Sequence, residues 1–184
     1  MDNKRFKMFL GIFLIIAFLA LAAFYIFNQL SENDTPQEYV PEQEISDEQF
    51  RQTFVKLYFK AINSNDFVCE SRSIDSKQLL NNPYLTLVNL LIAGPSVEGL
   101  ESLIPSNTKV NSATLSGDTA IIDLSTDFIN STDNVETASN MVYSIVNTLT
   151  ELTEVNSVKF LIDGNEVSKY ANCDFSLNEP FVRK

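Results

Sequence analysis

Histidine and tryptophan are absent from this chain, and cysteine occurs only twice. Without histidine there is no Ser-His or Cys-His nucleophile pair and no imidazole to bind zinc. Two thiols cannot build a disulfide-dense scaffold or a four-thiolate metal centre. Positive charge is scarce as well: 13 Lys and Arg stand against 24 Asp and Glu, a formal charge of -11 over 184 residues. A chain this acidic is a poor binder of phosphate backbones, so nucleic acid is not expected as a partner. A glycine-rich phosphate cradle, metal-ligand spacing and a nucleophile elbow are also missing, and no cofactor or metal is expected.

What the chain does have is one long apolar run. Residues 8–27, MFLGIFLIIAFLALAAFYIF, carry no charge and no proline. As a helix rising 1.5 Å per residue, such a run spans about 30 Å, the hydrocarbon thickness of a bilayer. Lys4, Arg5 and Lys7 precede it, and no Lys or Arg follows before Arg51. By the positive-inside bias, residues 1–7 form a basic cytoplasmic N-terminus and everything after the anchor lies outside. The competing reading is a cleaved signal, since Ala20-Leu21-Ala22 has the small residues of a cleavage site. Against it, Phe24 to Phe27 carry the apolar run beyond the usual signal length. The expected placement is therefore single-pass in the cell membrane, with the lipid bilayer as the partner of residues 8–27. Neither cysteine lies close enough to this segment to carry a lipid.

Residues 28–48 hold seven acidic side chains, no basic ones, and Pro36 and Pro41. Too little apolar surface is present there to offset the entropy of ordering, so the stretch reads as a charged tether. An acidic docking tail is the alternative reading. Residues 49–184 are long enough for one domain with a real core.

Within that domain, Val55, Leu57 and Phe59 alternate with Lys56, Tyr58 and Lys60, the period-two signal of a strand. Turn residues at 63–66 lead into a second strand from Phe67 to Ile74, completing a hairpin. Asn82-Pro83 caps and opens a helix, which Gly94-Pro95 ends. Thr108–Leu115 and Thr119–Leu124 flank Ser116-Gly117-Asp118 as a second hairpin. Asp133 with Glu136 reads as the start of a helix whose stripe runs from Ala138 through Met141, Val142, Ile145 and Leu149. Val158–Ile162 is a fifth strand, and Glu166–Tyr170 a sixth after the Asp163-Gly164 turn. The order β-β-α-β-β-α-β-β predicts an α+β fold, with both helices on one face of a mainly antiparallel sheet and a transmembrane helix ahead of them.

This pattern resembles the GerMN domain, named from a spore germination and sporulation protein. The likeness rests on Leu57-Tyr58-Phe59 with Glu70-Ser71-Arg72, on Leu90 to Pro95 with Gly99-Leu100 and Ile104-Pro105, on Ala120 to Ser125 leading to Phe128, and on Ile145 to Leu152 followed by Val158 to Gly164 and Asp174-Phe175-Ser176. It covers about residues 54–179. The resemblance implies a domain held outside the cell membrane of a bacterium, acting in envelope or spore assembly as scaffolding and not as an enzyme. This chain departs from many relatives in lacking a lipidated cysteine.

Four carboxylates, Asp123, Asp127, Asp163 and Asp174, are the only group resembling a catalytic set, because a carboxylate pair can run hydrolysis if burial raises one pKa. Asp163 sits in an Asp-Gly turn, and Asp123 and Asp127 flank a strand end, where Asp is recruited for local bonding, the reading preferred here. Cys69 and Cys173 are candidates for one disulfide outside the cytoplasm, the alternative being two separate buried thiols. Arg72, beside Glu70 on a strand, is the candidate interaction residue, with a sheet-surface ion pair worth under about 1 kcal/mol as the plainer account. The expected function is a membrane-anchored, non-catalytic domain binding other envelope proteins, itself included. A binder of cell-wall glycan or a small solute is the alternative.

Overall fold

The computed structural model describes residues 3–31, 51–64 and 66–184, with side chains in the first stretch described from 15 to 29. The chain divides into two units, Met1–Glu44 and Ile45–Lys184. In the first, α1 runs from Asn3 to Ser31. Its Phe18, Leu21, Phe24 and Phe27 are each more than 60% exposed. No helix among the described residues is long and apolar enough to cross a membrane. The apolar run expected from Met8 to Phe27 lies partly outside the described side chains. The expected tether lies outside the described residues except at 28–31.

The second unit opens with the expected hairpin. Strands β1 (Gln52–Ala61) and β2 (Phe67–Asp75) pair antiparallel with no break in register. A short helix, α2 (Lys77–Asn81), follows, and then α3 (Pro83–Ala93). Asn82 caps α3 as its sequence position suggested, its Oδ1 accepting from the Leu85 amide at 2.9 Å. Its Nδ2 donates to the Ala113 carbonyl at 2.7 Å, tying the helix start to a strand of the second sheet. Gly94 ends the helix at φ 89, a conformation that other residues rarely adopt.

After β3 (Leu100–Glu101), strands β4 (Val110–Ser116) and β5 (Thr119–Leu124) form the second expected hairpin. Then come α4 (Asp127–Asn130), α5 (Val135–Leu149), β6 (Ser157–Ile162) and β7 (Phe181–Val182). The α+β class holds, but the single, mainly antiparallel sheet does not. There are two sheets, ordered β2-β1-β3 and β4-β5-β6-β7. The second is mixed, because β5 and β6 are parallel. A parallel neighbour requires a crossover, which α4 and α5 supply.

Two further expectations are corrected. Residues 166–170 form no strand; only an isolated Lys169–Ser176 bridge occurs there, and the edge is closed by β7 instead. Nor is Asp133 the cap of α5. Asn134 is, its Oδ1 accepting from the amides of Glu136 and Thr137.

The apolar stripe of α5 is buried as its spacing required: Ala138, Met141, Val142, Ile145, Val146 and Leu149 are all 1% exposed or less. Burying a large aliphatic side chain is worth about 1.5–3 kcal/mol, so this helix organises the core. A packed cluster of rings, Phe128, Phe160, Tyr170, Phe175 and Phe181, fills the other end. The polar residues of α5 have their own task. Ser144 Oγ donates to the Tyr58 carbonyl at 2.6 Å and Thr148 Oγ1 accepts from the Tyr58 amide at 3.0 Å. The helix thereby satisfies Tyr58 on the edge of β1 that faces away from β2, while β3 pairs with that edge at Lys60 and Ala61.

Candidate interaction site

The bonding of Tyr58 decides the geometry of β2. Tyr58 lies opposite Cys69 in the register, yet its amide and carbonyl are both taken by α5. In an antiparallel pair, bonded and non-bonded positions alternate, so Cys69 does not bond β1 and turns its own N–H and C=O outward. Phe67, Ser71 and Ser73 share that phase. The Ala61 amide bond to the Asp66 carbonyl, one step closer to the turn, fits the same alternation. Strand β2 is thus an edge nine residues long whose outward groups bond nothing among the described residues. The other edges differ. β3 and β7 have two residues each, and β4 has its Ala113 carbonyl taken by Asn82. β2 has no lysine, proline or bulge, although Glu70 and Arg72 are charges turned inward on it. Its exposed outward side chains are Cys69, Ser71 and Ser73.

The opposite face of β2 carries Glu70 and Arg72. Arg72 Nε donates to Glu70 Oε1 at 2.7 Å, and its Nη2 donates to the Gly94 carbonyl at 2.8 Å. Glu70 Oε2 accepts from the amides of Ser96 at 2.8 Å and Val97 at 3.4 Å. The guanidinium also lies 5.8 Å from the Phe59 ring centroid. The expectation of a surface ion pair is therefore corrected: the side chains are 1% and 14% exposed, because residues 94–97 fold over them. The pair clamps that loop to β2. Leaving either partner alone in such a place is costly, since it strands a buried charge.

A second polar cluster, which the sequence did not suggest, joins β1, the turn after α5 and the last residues. Tyr58 Oη donates to Glu151 Oε1 at 2.7 Å, Lys56 Nζ to Oε2 at 2.9 Å and Arg183 Nη2 to Oε1 at 2.5 Å. Arg183 also donates to Tyr58 Oη, and its guanidinium lies 4.9 Å from the Tyr58 ring centroid. Burial opposes the charged form of Glu151, but the hydrogen bonds from Tyr58, Lys56 and Arg183 outweigh it and hold the carboxyl at about 2. These partners are scattered along the chain, and no local motif links them. Beside the cluster is a groove of about 380 Å³, lined by Phe54, Lys56, Leu79, Leu87, Glu151 and Leu152 among others.

The four carboxylates considered for chemistry are each engaged locally. Asp123 Oδ1 accepts from the Gly164 amide at 2.9 Å. Asp163 accepts from the Thr126 amide and from Asn111 Nδ2, both at 3.2 Å. Asp127 accepts from Asn107 Nδ2 and Ser125 Oγ. These three bind together the loops at the carboxyl ends of β5 and β6. Asp174 makes an exposed pair with Lys169. Among the described residues no group of three or more His, Cys, Asp or Glu is placed to hold a metal ion. The bridge considered between Cys69 and Cys173 is not formed. Both are free thiols, one exposed on β2 of the first sheet and the other half-buried in the loop after Tyr170. The Tyr170 hydroxyl is fully enclosed, and burial pushes its pKa up.

A family model described as Germane, sporulation and spore germination, matches residues 56–168. Among solved structures, the tandem GerMN domains of the sporulation protein GerM from Bacillus subtilis are similar at 23% identity and a TM-score of 0.58, over 73% of this chain and 47% of that one. The first GerMN domain of the same protein is similar at 20% identity and a TM-score of 0.57, over 71% of this chain and 98% of that one. This chain thus spans about half the length of the tandem structure. At these identities the likeness establishes the fold. Comparison with curated proteins finds no match.

Proposed function

We propose that this chain, which belongs to the Germane family of sporulation and spore germination domains, works as a membrane-anchored, non-catalytic binding domain of the cell envelope. The observation that carries the binding role is the edge of β2, which is unpaired among the described residues. Unpaired strand edges bind other chains by adding a strand, and the N–H and C=O groups of Phe67, Cys69, Ser71 and Ser73 present such a template. The Glu70–Arg72 clamp keeps that template rigid beforehand, which reduces the cost of ordering on binding. The engagement of Asp123, Asp127 and Asp163 in loop bonding supports a non-catalytic reading of those carboxylates.

Anchoring is supported by α1. Its 29 residues run about 44 Å at helical rise, and its exposed Phe and Leu side chains would be costly in water. A bilayer relieves that cost, and the basic residues ahead of the run orient the domain outward.

The edge is tested by replacing Ser71 and Ser73 together with lysine. Both are exposed, so the fold is expected to survive, while cross-links to envelope proteins on intact membranes are lost. Unchanged cross-links with the fold intact would contradict the role of β2. The groove favours a second reading, a small-ligand site, since its volume is near the lower limit for such pockets. Titration with cell-wall glycan fragments that shifts the Phe54 and Leu152 resonances would support that reading, and unshifted resonances would remove it.

A further inference from the structure

We propose that the end of the domain carrying Arg51, Phe54, Lys77 and Leu80 rests on the surface of an anionic lipid bilayer. The inference rests on the anchored reading above and adds to it a second, peripheral contact with the same membrane.

Leu80 and Phe54 are the most exposed large apolar side chains described in the second unit, at 78% and 73%. Single exposed apolar residues are ordinary on a protein surface, so neither is informative alone. Here the fold gathers them at one end. Phe54 on β1 and Leu79 on α2 line the same groove, and Leu80 is the next residue of that helix. The Ser76 amide donates to the Arg51 carbonyl at 2.6 Å, which ties the start of α2 to the start of β1. Arg51 and Lys77 are thereby held at the same end. Both are exposed, and neither side chain has a partner among the described residues. The carboxylates of that strand end and of the groove are already engaged. Asp75 Oδ1 accepts from the Lys77 amide at 2.9 Å, and Glu151 is held by Tyr58, Lys56 and Arg183.

Protruding apolar side chains beside free cations suit a lipid interface. The apolar groups enter the boundary between headgroups and acyl chains, and the cations meet anionic headgroups. Two observations select this partner. The chain's net charge of -11 is repelled by anionic lipid, so contact is confined to an end where cations stand unpaired. The chain also enters the domain at Arg51, directly after residues 28–50, so this is the end tied to the apolar run.

The test uses the full chain in vesicles of phosphatidylcholine, with or without phosphatidylglycerol, and with Cys69→Ser and Cys173→Ser throughout. A fluorescent dye is attached at Leu80→Cys or at Val135→Cys. Val135 is the control, because it lies about 20 Å along α5 from Thr148 of the groove. Quenching by headgroup-labelled lipid is expected to be about threefold stronger at position 80 than at 135 on anionic vesicles. The ratio should fall to about one on neutral vesicles, in high salt, and for Arg51→Gln/Lys77→Gln on either lipid. Circular dichroism checks that this variant is folded, and Phe54→Ser, which should lower the same ratio, is the second variant. Equal quenching at 80 and 135 in a chain that floats with the vesicles overturns the lipid contact and leaves the anchor standing. Stronger quenching at 80 that ignores lipid charge and both variants overturns the role of these residues. A chain that does not float with either vesicle refutes the anchor, and the peripheral contact with it.

Discussion

Glu151 shows how one carboxylate can hold three distant parts of a chain. Its folded pKa of about 2 lies below the ordinary 4.5, so the charged form is favoured by folding. A group whose pKa is depressed in this way contributes stability above the unfolded value and loses it as pH falls from about 4.5 towards 2. Allowing for solvent around a partly exposed cluster, the contribution is about 1–2 kcal/mol. Glu151→Gln is expected to lower the unfolding free energy from urea denaturation at neutral pH by that amount and to approach the parent chain below pH 2, as followed by tyrosine fluorescence. Arg72 is the stronger case, because Glu70 is enclosed. Arg72→Leu is expected to cost about 3–5 kcal/mol, the range for one partner removed from a buried pair. Adding Glu70→Leu should then cost far less than it does alone, since the stranded charge has gone. A double-mutant cycle by urea denaturation measures that coupling, and simple additivity would show that the pair does not act together.

Among the elements, those with local signals were legible and those without were not. The β1–β2 hairpin, the capped α3, the β4–β5 hairpin with Gly117 at φ 63 and the stripe of α5 all follow from patterns within a few residues. The one-turn helices α2 and α4 have no side-chain cap and are too short for a period to emerge. The two-residue strands β3 and β7 exist only because a neighbour pairs with them. Ser144 and Thr148 bond Tyr58 on the edge of β1, and in the sequence these look like ordinary polar positions beside an apolar stripe. The candidate site was half legible. Arg72 and Glu70 were visible as a pair on a strand, but their enclosure comes from a loop 22 to 27 residues further on. The capping difference can be measured. Asn82→Ala removes both the cap and the bond to Ala113 and is expected to cost about 1–2 kcal/mol. Asp133→Ala, at the position nominated from sequence, should stay within about 0.5 kcal/mol.

At the scale of the whole molecule, a 29-residue helix that includes the apolar run precedes a folded domain of the Germane family in an acidic chain of net charge -11. In the proposed function the first is an anchor and the second a binding body, and the anchor matters most. If the domain sits outside the membrane, its partners are envelope proteins and Cys69 faces an oxidising milieu; if not, neither statement holds. The direct measurement is alkaline carbonate extraction of cells making the full chain, followed by protease added from outside. The account predicts that the intact chain stays in the membrane pellet and that external protease removes the domain while leaving a protected fragment containing residues 8–27. Recovery of the full-length chain in the soluble fraction, untouched by external protease, would contradict it.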